Sequence, residues 1–233
     1  MVDKMVQLDN MNISYHIKNF NVTFEELYNW ILNNQNNNLN CITLLGEFNH
    51  FGIGMEINTK KAFELYQKAA NLGNAFGINN LGYCYKHGIE VNMNRRKGFE
   101  LYQKAVDLGN PSGMNNLGDC YRDGLGTASD SKKAFELYQE SANLGNSFGK
   151  LNLGHCYGRG IGTDVDKKKA FELYQEAANL EYNDARYKLA FMYENGDGVV
   201  RNIDQAMYWY EKITDLGNLN FLTNVKEIMS FIL

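Results

Sequence analysis

The sequence predicts an all-α fold, a solenoid of antiparallel helix pairs. Three observations carry that expectation. The segment Lys61-Ala62-Phe63-Glu64-Leu65-Tyr66-Gln67 returns from Lys97, Lys133 and Lys169 at a constant 36-residue spacing. A second block, Asn80-Leu81-Gly82-Tyr83-Cys84-Tyr85, returns at the same spacing from Asn116 and Asn152, and in altered form from Lys188. The 233 residues include 22 Gly but only one Pro, so glycine punctuates helices here. Self-similarity at a fixed period means that each unit buries its apolar face against its neighbours.

The elements follow in chain order. Residues 1–22 show no apolar periodicity and read as a poorly ordered lead. Residues 23–38 hold a capping helix and an Asn-rich turn. Thr23-Phe24-Glu25-Glu26 is a capping box, in which side chains satisfy free N–H groups of the first turn. Five full repeats then occupy 39–74, 75–110, 111–146, 147–182 and 183–218. Each opens with a helix whose apolar residues share one face, as Ile78, Leu81, Cys84 and Tyr85 do. Gly52, Gly88, Gly124, Gly160 and Gly196 end it, because glycine enters the left-handed region without a Cβ clash. The second helix starts after Asn58, Asn94, Asp130, Asp166 or Asn202, each a cap contributing about 1 kcal/mol. It stops at Gly73, Gly109, Gly145 and Gly217; the fourth repeat has Glu181 there, so its turn differs. Residues 219–233 read as a C-terminal capping helix, with Leu222, Val225, Ile228, Met229 and Ile232 on one stripe.

Small residues recur where helices must approach. Gly82, Gly118, Gly154 and Ala190 share one place on the first helix. Ala62, Gly98, Ala134, Ala170 and Ala206 share one on the second. Phe63, Phe99, Phe135 and Phe171, with Tyr66, Tyr102, Tyr138, Tyr174 and Tyr210, fill the facing spaces. Glycine inside a helix costs about 1 kcal/mol relative to alanine, so its recurrence implies a packing reason.

These blocks, Leu-Gly-x-x-Tyr-x-x-Gly-x-Gly and then Lys-Ala-Phe-x-x-Tyr-x-Lys-Ala-Ala, resemble the Sel-one-like repeat, a relative of the tetratricopeptide repeat. The resemblance covers about three quarters of the chain. It implies a right-handed superhelical solenoid whose first helices line a concave surface. The family's Trp-Tyr pair survives only at Trp209-Tyr210, with Leu in place of Trp elsewhere. Some members carry a disulfide in each repeat, which needs two cysteines per repeat; no repeat here has them.

Composition excludes several classes. A net charge of -4 gives no basic surplus for nucleic acid. No apolar run is long enough for a membrane span. Met1 to Gln7 lack the apolar stretch of a secretory signal. Cys84, Cys120 and Cys156 fall on the core face of successive first helices, about 8–10 Å apart, which is too far for a disulfide. Buried thiols fit a reducing, cytoplasmic compartment. Gly158-Arg159-Gly160-Ile161-Gly162 lacks the strand and the Lys-Ser/Thr of a nucleotide loop. Ser129 and Lys132 straddle a helix cap. The reading is therefore of a protein that is not an enzyme and takes no cofactor or metal.

Variation inside the repeat points to a surface. One first-helix position runs Asn40, Phe76, Ser112, Phe148, Asp184. Another runs Glu47, Tyr83, Asp119, His155, Phe191. A third runs His50, Lys86, Arg122, Gly158, Glu194. Phe76, Tyr83 and Phe148 read as exposed aromatics. Asn80, Asn116 and Asn152, with Asn79 and Asn115 beside them, form a ladder of amides that can donate to and accept from a peptide backbone. In tetratricopeptide relatives a similarly placed Asn pair holds an extended peptide. The expected partner surface is Phe76, Asn79, Asn80, Tyr83, Lys86, Asn115, Asn116, Asp119, Arg122, Phe148, Asn152 and His155. It would hold a protein or extended peptide in the concave groove of a non-enzymatic signalling adaptor. The alternative, from the resemblance, is a regulatory repeat tail of a larger kinase-like signalling protein. A column of Lys60-Lys61, Arg95-Arg96-Lys97, Lys132-Lys133 and Lys167-Lys168-Lys169 lies along one edge. Pairing at i,i+4 with Glu64, Glu100, Glu136 and Glu172, about 0.2–0.5 kcal/mol each, accounts for it; the other reading is a ridge for an anionic partner.

Overall fold

A computed structural model describes residues 24–213 except 35, 37, 54, 180 and 181. Among the described residues the chain has eleven helices and no strand. They are α1 (Phe24–Asn34), α2 (Leu39–Phe51), α3 (Thr59–Asn71), α4 (Ala75–His87), α5 (Arg95–Asp107), α6 (Pro111–Asp123), α7 (Ser131–Asn143), α8 (Ser147–Arg159), α9 (Lys167–Asn179), α10 (Asn183–Asn195) and α11 (Ile203–Glu211). The lead, Thr23, Glu181 and the C-terminal helix expected over 219–233 lie outside the described residues. The described residues fall into two compact units, 24–110 with α1 to α5 and 111–213 with α6 to α11.

Local chemistry sets the ends of each helix. The five glycines after the first helices have φ between 66° and 72°. All five expected caps of the second helices are formed. Asn58 Oδ1 accepts from the Lys61 amide at 2.9 Å, and Asn94, Asp130, Asp166 and Asn202 act alike. The first helices have their own caps, which the sequence reading overlooked: Asn38, Asn74 and Asn146 accept from Asn40, Gly77 and Gly149. In the fifth repeat Tyr182 takes that place and offers no side-chain cap.

A backbone bond closes every repeat. The amide N–H of the second-helix cap donates to the carbonyl nine residues earlier. Asn58 meets Asn49 at 2.8 Å, Asn94 meets Tyr85 at 2.7 Å, and Asp130, Asp166 and Asn202 meet Tyr121, Tyr157 and Tyr193 at 2.8 Å. Inside the adjoining turns Glu90 holds φ 57° where Gly162 and Gly198 hold 70° and 77°. A side chain in that region is strained by about 1–2 kcal/mol. Glu90 Oε1 accepts from Thr59 Oγ1 at 2.6 Å, which offsets part of it.

Packing explains the recurring glycine. A Cβ on Gly82 would stand 2.9 Å from the ring of Tyr102, and one on Gly118 2.7 Å from that of Tyr138. Gly154 faces Tyr174 in the same way. Tyr102 and Tyr138 are fully buried, so these rings cannot swing away. Successive repeats join edge to face: Phe63 on Tyr85 in the first unit, Phe135 on Tyr157 and Phe171 on Tyr193 in the second. At the start of the first unit, Leu27 and Ile31 of α1 bury against Ile42, Leu45 and Phe48 of α2. An apolar helix face packed on the first repeat is what a terminal cap requires.

Candidate partner-binding surface

In the first unit the surface is built on α2 and α4. Asn74 ties the two helices at their N-terminal ends. Its Oδ1 accepts from Thr43 Oγ1 at 2.9 Å, and its Nδ2 donates to Asn40 Oδ1 at 2.6 Å. Further along, Asn80 Nδ2 donates to the buried carboxylate of Glu47, and Asn79 Nδ2 donates to Asn80 Oδ1 at 3.1 Å. Asn79 is buried. Phe76 is only 6% exposed, so it belongs to the core and not to the surface. Tyr83 is 41% exposed and packs on His87 with ring centroids 4.3 Å apart. His50 lies 4.7 Å from Phe51 and 6.1 Å from Tyr83, which completes an aromatic patch. Burial lowers the His50 pKa below its ordinary value. Lys86 places its Nζ 6.0 Å from the centre of the Tyr102 ring.

In the second unit the corresponding helices are α6, α8 and α10. Asn152 Nδ2 donates to Asn115 Oδ1 at 2.9 Å, and Asn115 is buried. Asn116 is half-buried on α6. Asp119 accepts from the Tyr138 hydroxyl at 2.8 Å and pairs with Arg122 at 3.0 Å. Arg122 also forks onto Asp123 at 2.7 and 2.8 Å. That hydrogen bond raises its pKa further, so its charge is fixed. Burial, with Asp119 next, keeps the Tyr138 hydroxyl protonated. Phe148 is half-buried, its ring 4.7 Å from Tyr182, so it too serves packing more than display. His155 is half-buried and edge-on to Tyr174 at 5.6 Å. Burial first, then Lys188, Arg159 and Arg122, lower its pKa to about 4. On α10, two aromatics outside the expected partner surface are open: Tyr187 at 50% and Phe191 at 46%. Phe191 shares the register of Tyr83, so its signal lay in the repeat alignment.

One register position has a second role. Glu47, Asp119 and His155 stand beside the scaffold tyrosine of their own repeat. Glu47 raises the Tyr66 pKa behind the larger effect of burial, Asp119 takes the Tyr138 hydroxyl, and His155 meets the Tyr174 ring. Variation there changes what the buried tyrosine touches.

The basic edge is arranged differently from the expected i,i+4 pairing. Arg96 does pair with Glu100 at i,i+4, but Lys61 meets Glu64 at i,i+3. Lys133 and Lys169 turn back to the cap carboxylates of Asp130 and Asp166. Lys97, Lys133 and Lys169 also lie over the rings of Tyr85, Tyr121 and Tyr157, at 3.9, 5.1 and 4.9 Å. Cation–π contact of this kind contributes about 0.5–1 kcal/mol at exposed sites.

All four cysteines are buried thiols outside any disulfide. Burial pushes the Cys84 thiol up to about 12 and the Cys156 thiol to about 11, which suppresses the reactive thiolate. Among the described residues no three His, Cys, Asp or Glu side chains form a metal-holding group. No described helix is long and apolar enough to cross a membrane. Ser129 is exposed in a loop.

The family model of the Sel1 repeat matches residues 40–74, 75–110, 111–146, 148–182 and 183–218. This chain belongs to the Sel1 repeat family. Solved Sel1 repeat structures share its fold. A Sel1 repeat protein from Oxalobacter formigenes aligns with TM-score 0.68 and 24% identity, over 91% of this chain and 84% of that one. The protein c5321, a protective antigen present in uropathogenic Escherichia coli strains, aligns with TM-score 0.61 and 31% identity. That alignment covers 90% of this chain but 46% of the other, so this chain spans less than half of the Escherichia coli protein. Immunity protein Pa5087 from Pseudomonas aeruginosa aligns with TM-score 0.50 and 25% identity, over 66% and 57%. A comparison with curated proteins gives no match. Sel1 repeat proteins are in general protein-interaction scaffolds and not catalysts.

Proposed function

We propose that this chain is a cytoplasmic adaptor that binds a protein partner, as an extended segment, on the exposed faces of its first helices. The observation that carries this reading is the split between scaffold and surface. Caps, glycines and buried tyrosines repeat with little change, while the first-helix position of Glu47, Tyr83, Asp119, His155 and Phe191 differs in every repeat. Tyr83 and Phe191 of that position, and Tyr187 beside Phe191 on α10, are each at least two fifths exposed. Aromatics of this kind supply most hot spots at protein interfaces. Asn80, Asn116 and Asn152 sit beside them, half-buried, with capacity for further hydrogen bonds at Asn80 and Asn152 after those they make within the chain.

The test is capture of the partner from the native source by the full chain. Tyr83→Ala in the first unit, and Tyr187→Ala with Phe191→Ala in the second, are the informative variants. Each set should leave the melting temperature within a few degrees, because these side chains are only partly buried. At least one should weaken capture about tenfold, or about 1.4 kcal/mol. Undiminished capture by both sets would defeat the reading. Asn80→Ala is a poorer probe, since it strips a partner from the buried Glu47 carboxylate and destabilises the fold on that account alone.

A further inference from the structure

The cations of the second unit are not all used. On α6, Arg122 is held by Asp119 and Asp123. Lys150 of α8 is held by Glu176 at 2.6 Å, and Lys167 of α9 by Asp197 at 2.9 Å. Arg159 of α8 and Lys188 of α10 have no carboxylate partner among the described residues. Arg159 stands one turn beyond His155 on the same helix. Lys188 occupies the ladder position of Asn152 one repeat later. His155 and Lys188 hold the register of Glu47 and Asn80, a hydrogen-bonded pair, which sets Lys188 beside His155. Lys188, Arg159 and Arg122 add to the larger effect of burial in disfavouring its charged form. The groups facing His155 are therefore Arg122 on α6, Tyr174 on α9, Arg159 on α8 and Lys188 on α10. Asp119, the nearby acid of α6, is taken by Arg122 and by the Tyr138 hydroxyl. The Nε2 of His155 is buried with no hydrogen-bond partner. Two cations without a carboxylate, beside an imidazole kept neutral by burial and then by those cations, define a place that lacks one negative charge.

We propose that the partner is an acidic segment, and that one of its Asp or Glu carboxylates docks at His155 between Arg159 and Lys188. The inference rests on the adaptor reading and names the chemistry of its partner. The arriving carboxylate offsets the repulsion from Lys188, Arg159 and Arg122 and offers the charged imidazole a partner, against the burial that disfavours it. His155 then takes a proton from solvent and becomes a third cation beside the bound acid. Binding is thus coupled to proton uptake and strengthens as pH falls. An internal acidic side chain is sufficient, because nothing in the arrangement reads a free chain terminus.

The test uses the full chain and a fluorescein-labelled, C-terminally amidated peptide of alternating Glu and Leu, with the Gln-Leu peptide as its counterpart. The Glu peptide should bind, the Gln peptide should bind at least about tenfold more weakly, and added salt should weaken the first more than the second. Arg159→Ala with Lys188→Ala should cost at least about tenfold in Kd for the Glu peptide alone; both side chains are at least partly exposed, and an unchanged melting curve confirms folding. Between about pH 7.5 and 5.5 the glutamates stay ionised, so the severalfold gain in affinity should come from His155 and vanish in His155→Gln. Equal binding of both peptides, unaffected by Arg159 and Lys188, would leave peptide binding standing and overturn the carboxylate site. No binding of the Glu peptide overturns it as well, whatever the aromatic variants do to the native partner. Displacement by inorganic phosphate but not by acetate at matched ionic strength would assign the site to phosphate and overturn the acidic segment.

Discussion

The two units share one scaffold and present different chemistry on it. In the first, neighbouring first helices are joined by neutral amides and one buried carboxylate, Asn40–Asn74–Thr43 and Asn80–Glu47, and the open positions are aromatic. In the second, amide links persist at Asn146–Ser112 and Asn152–Asn115, but the first helices also carry ion pairs, Asp119–Arg122–Asp123 and Lys150–Glu176, together with cations that no acid answers among the described residues. The tyrosine set against a glycine is common to both. The difference shows that a 36-residue unit fixes its core and leaves the residue above the tyrosine to choose the surface. The same substitution should therefore have equal effects in the two units when it strikes the scaffold, and unequal effects when it strikes that position.

Truncating the fully buried ring has the largest expected effect. Tyr102→Ala and Tyr138→Ala should each cost about 3–5 kcal/mol in denaturant unfolding, with the two values close to one another. A difference of several kcal/mol would break the claim of a shared scaffold. Removing only the hydroxyl sharpens the contrast. Tyr138→Phe loses the bond to Asp119 and should cost about 1 kcal/mol. Tyr174→Phe, whose ring meets His155 by its edge, should cost little in the same measurement. The smallest effect is on pH dependence. An unfolded His155 takes its proton near pH 6.5, whereas burial and cationic neighbours delay it to about 4 in the fold. The unfolded state binds more protons across that window, so stability should fall as pH drops through it. His155→Gln should flatten that part of the stability curve; an unchanged slope would show that His155 contributes nothing to it.

Much of the fold was legible because its causes are local. An Asn or Asp before a helix and a Gly after it act within one turn, and all five second-helix caps and first-helix stops formed as read. Asn38, Asn74 and Asn146 were equally legible by register and were passed over. Exposure was less readable. Phe76 and Phe148 vary in sequence as surface residues do, yet Phe76 lies in the core and Phe148 is covered by Tyr182, a residue 34 positions away. Whether a variable side chain is open depends on what distant residues of other elements lay over it, and periodicity does not contain that. The ladder amides show the same limit. Asn80 and Asn152 could be placed on one face, but their bonds to Glu47 and Asn115 depend on the distance between helices. The basic edge was found, while its stacking on tyrosines required three dimensions.

The bond that closes each repeat has a consequence for how such a chain can change its length. Donor and acceptor lie nine residues apart within one repeat, at nearly the same distance in all five. A single residue added between them shifts the cap out of line with its carbonyl and leaves the first turn of the next helix uncapped. A whole repeat added or removed disturbs no such pair, because every copy carries both ends of its own clasp. Growth or shrinkage is thereby quantised in steps of 36 residues, and duplication of a coding segment becomes the route by which a longer binding surface is tried without refolding what already stands.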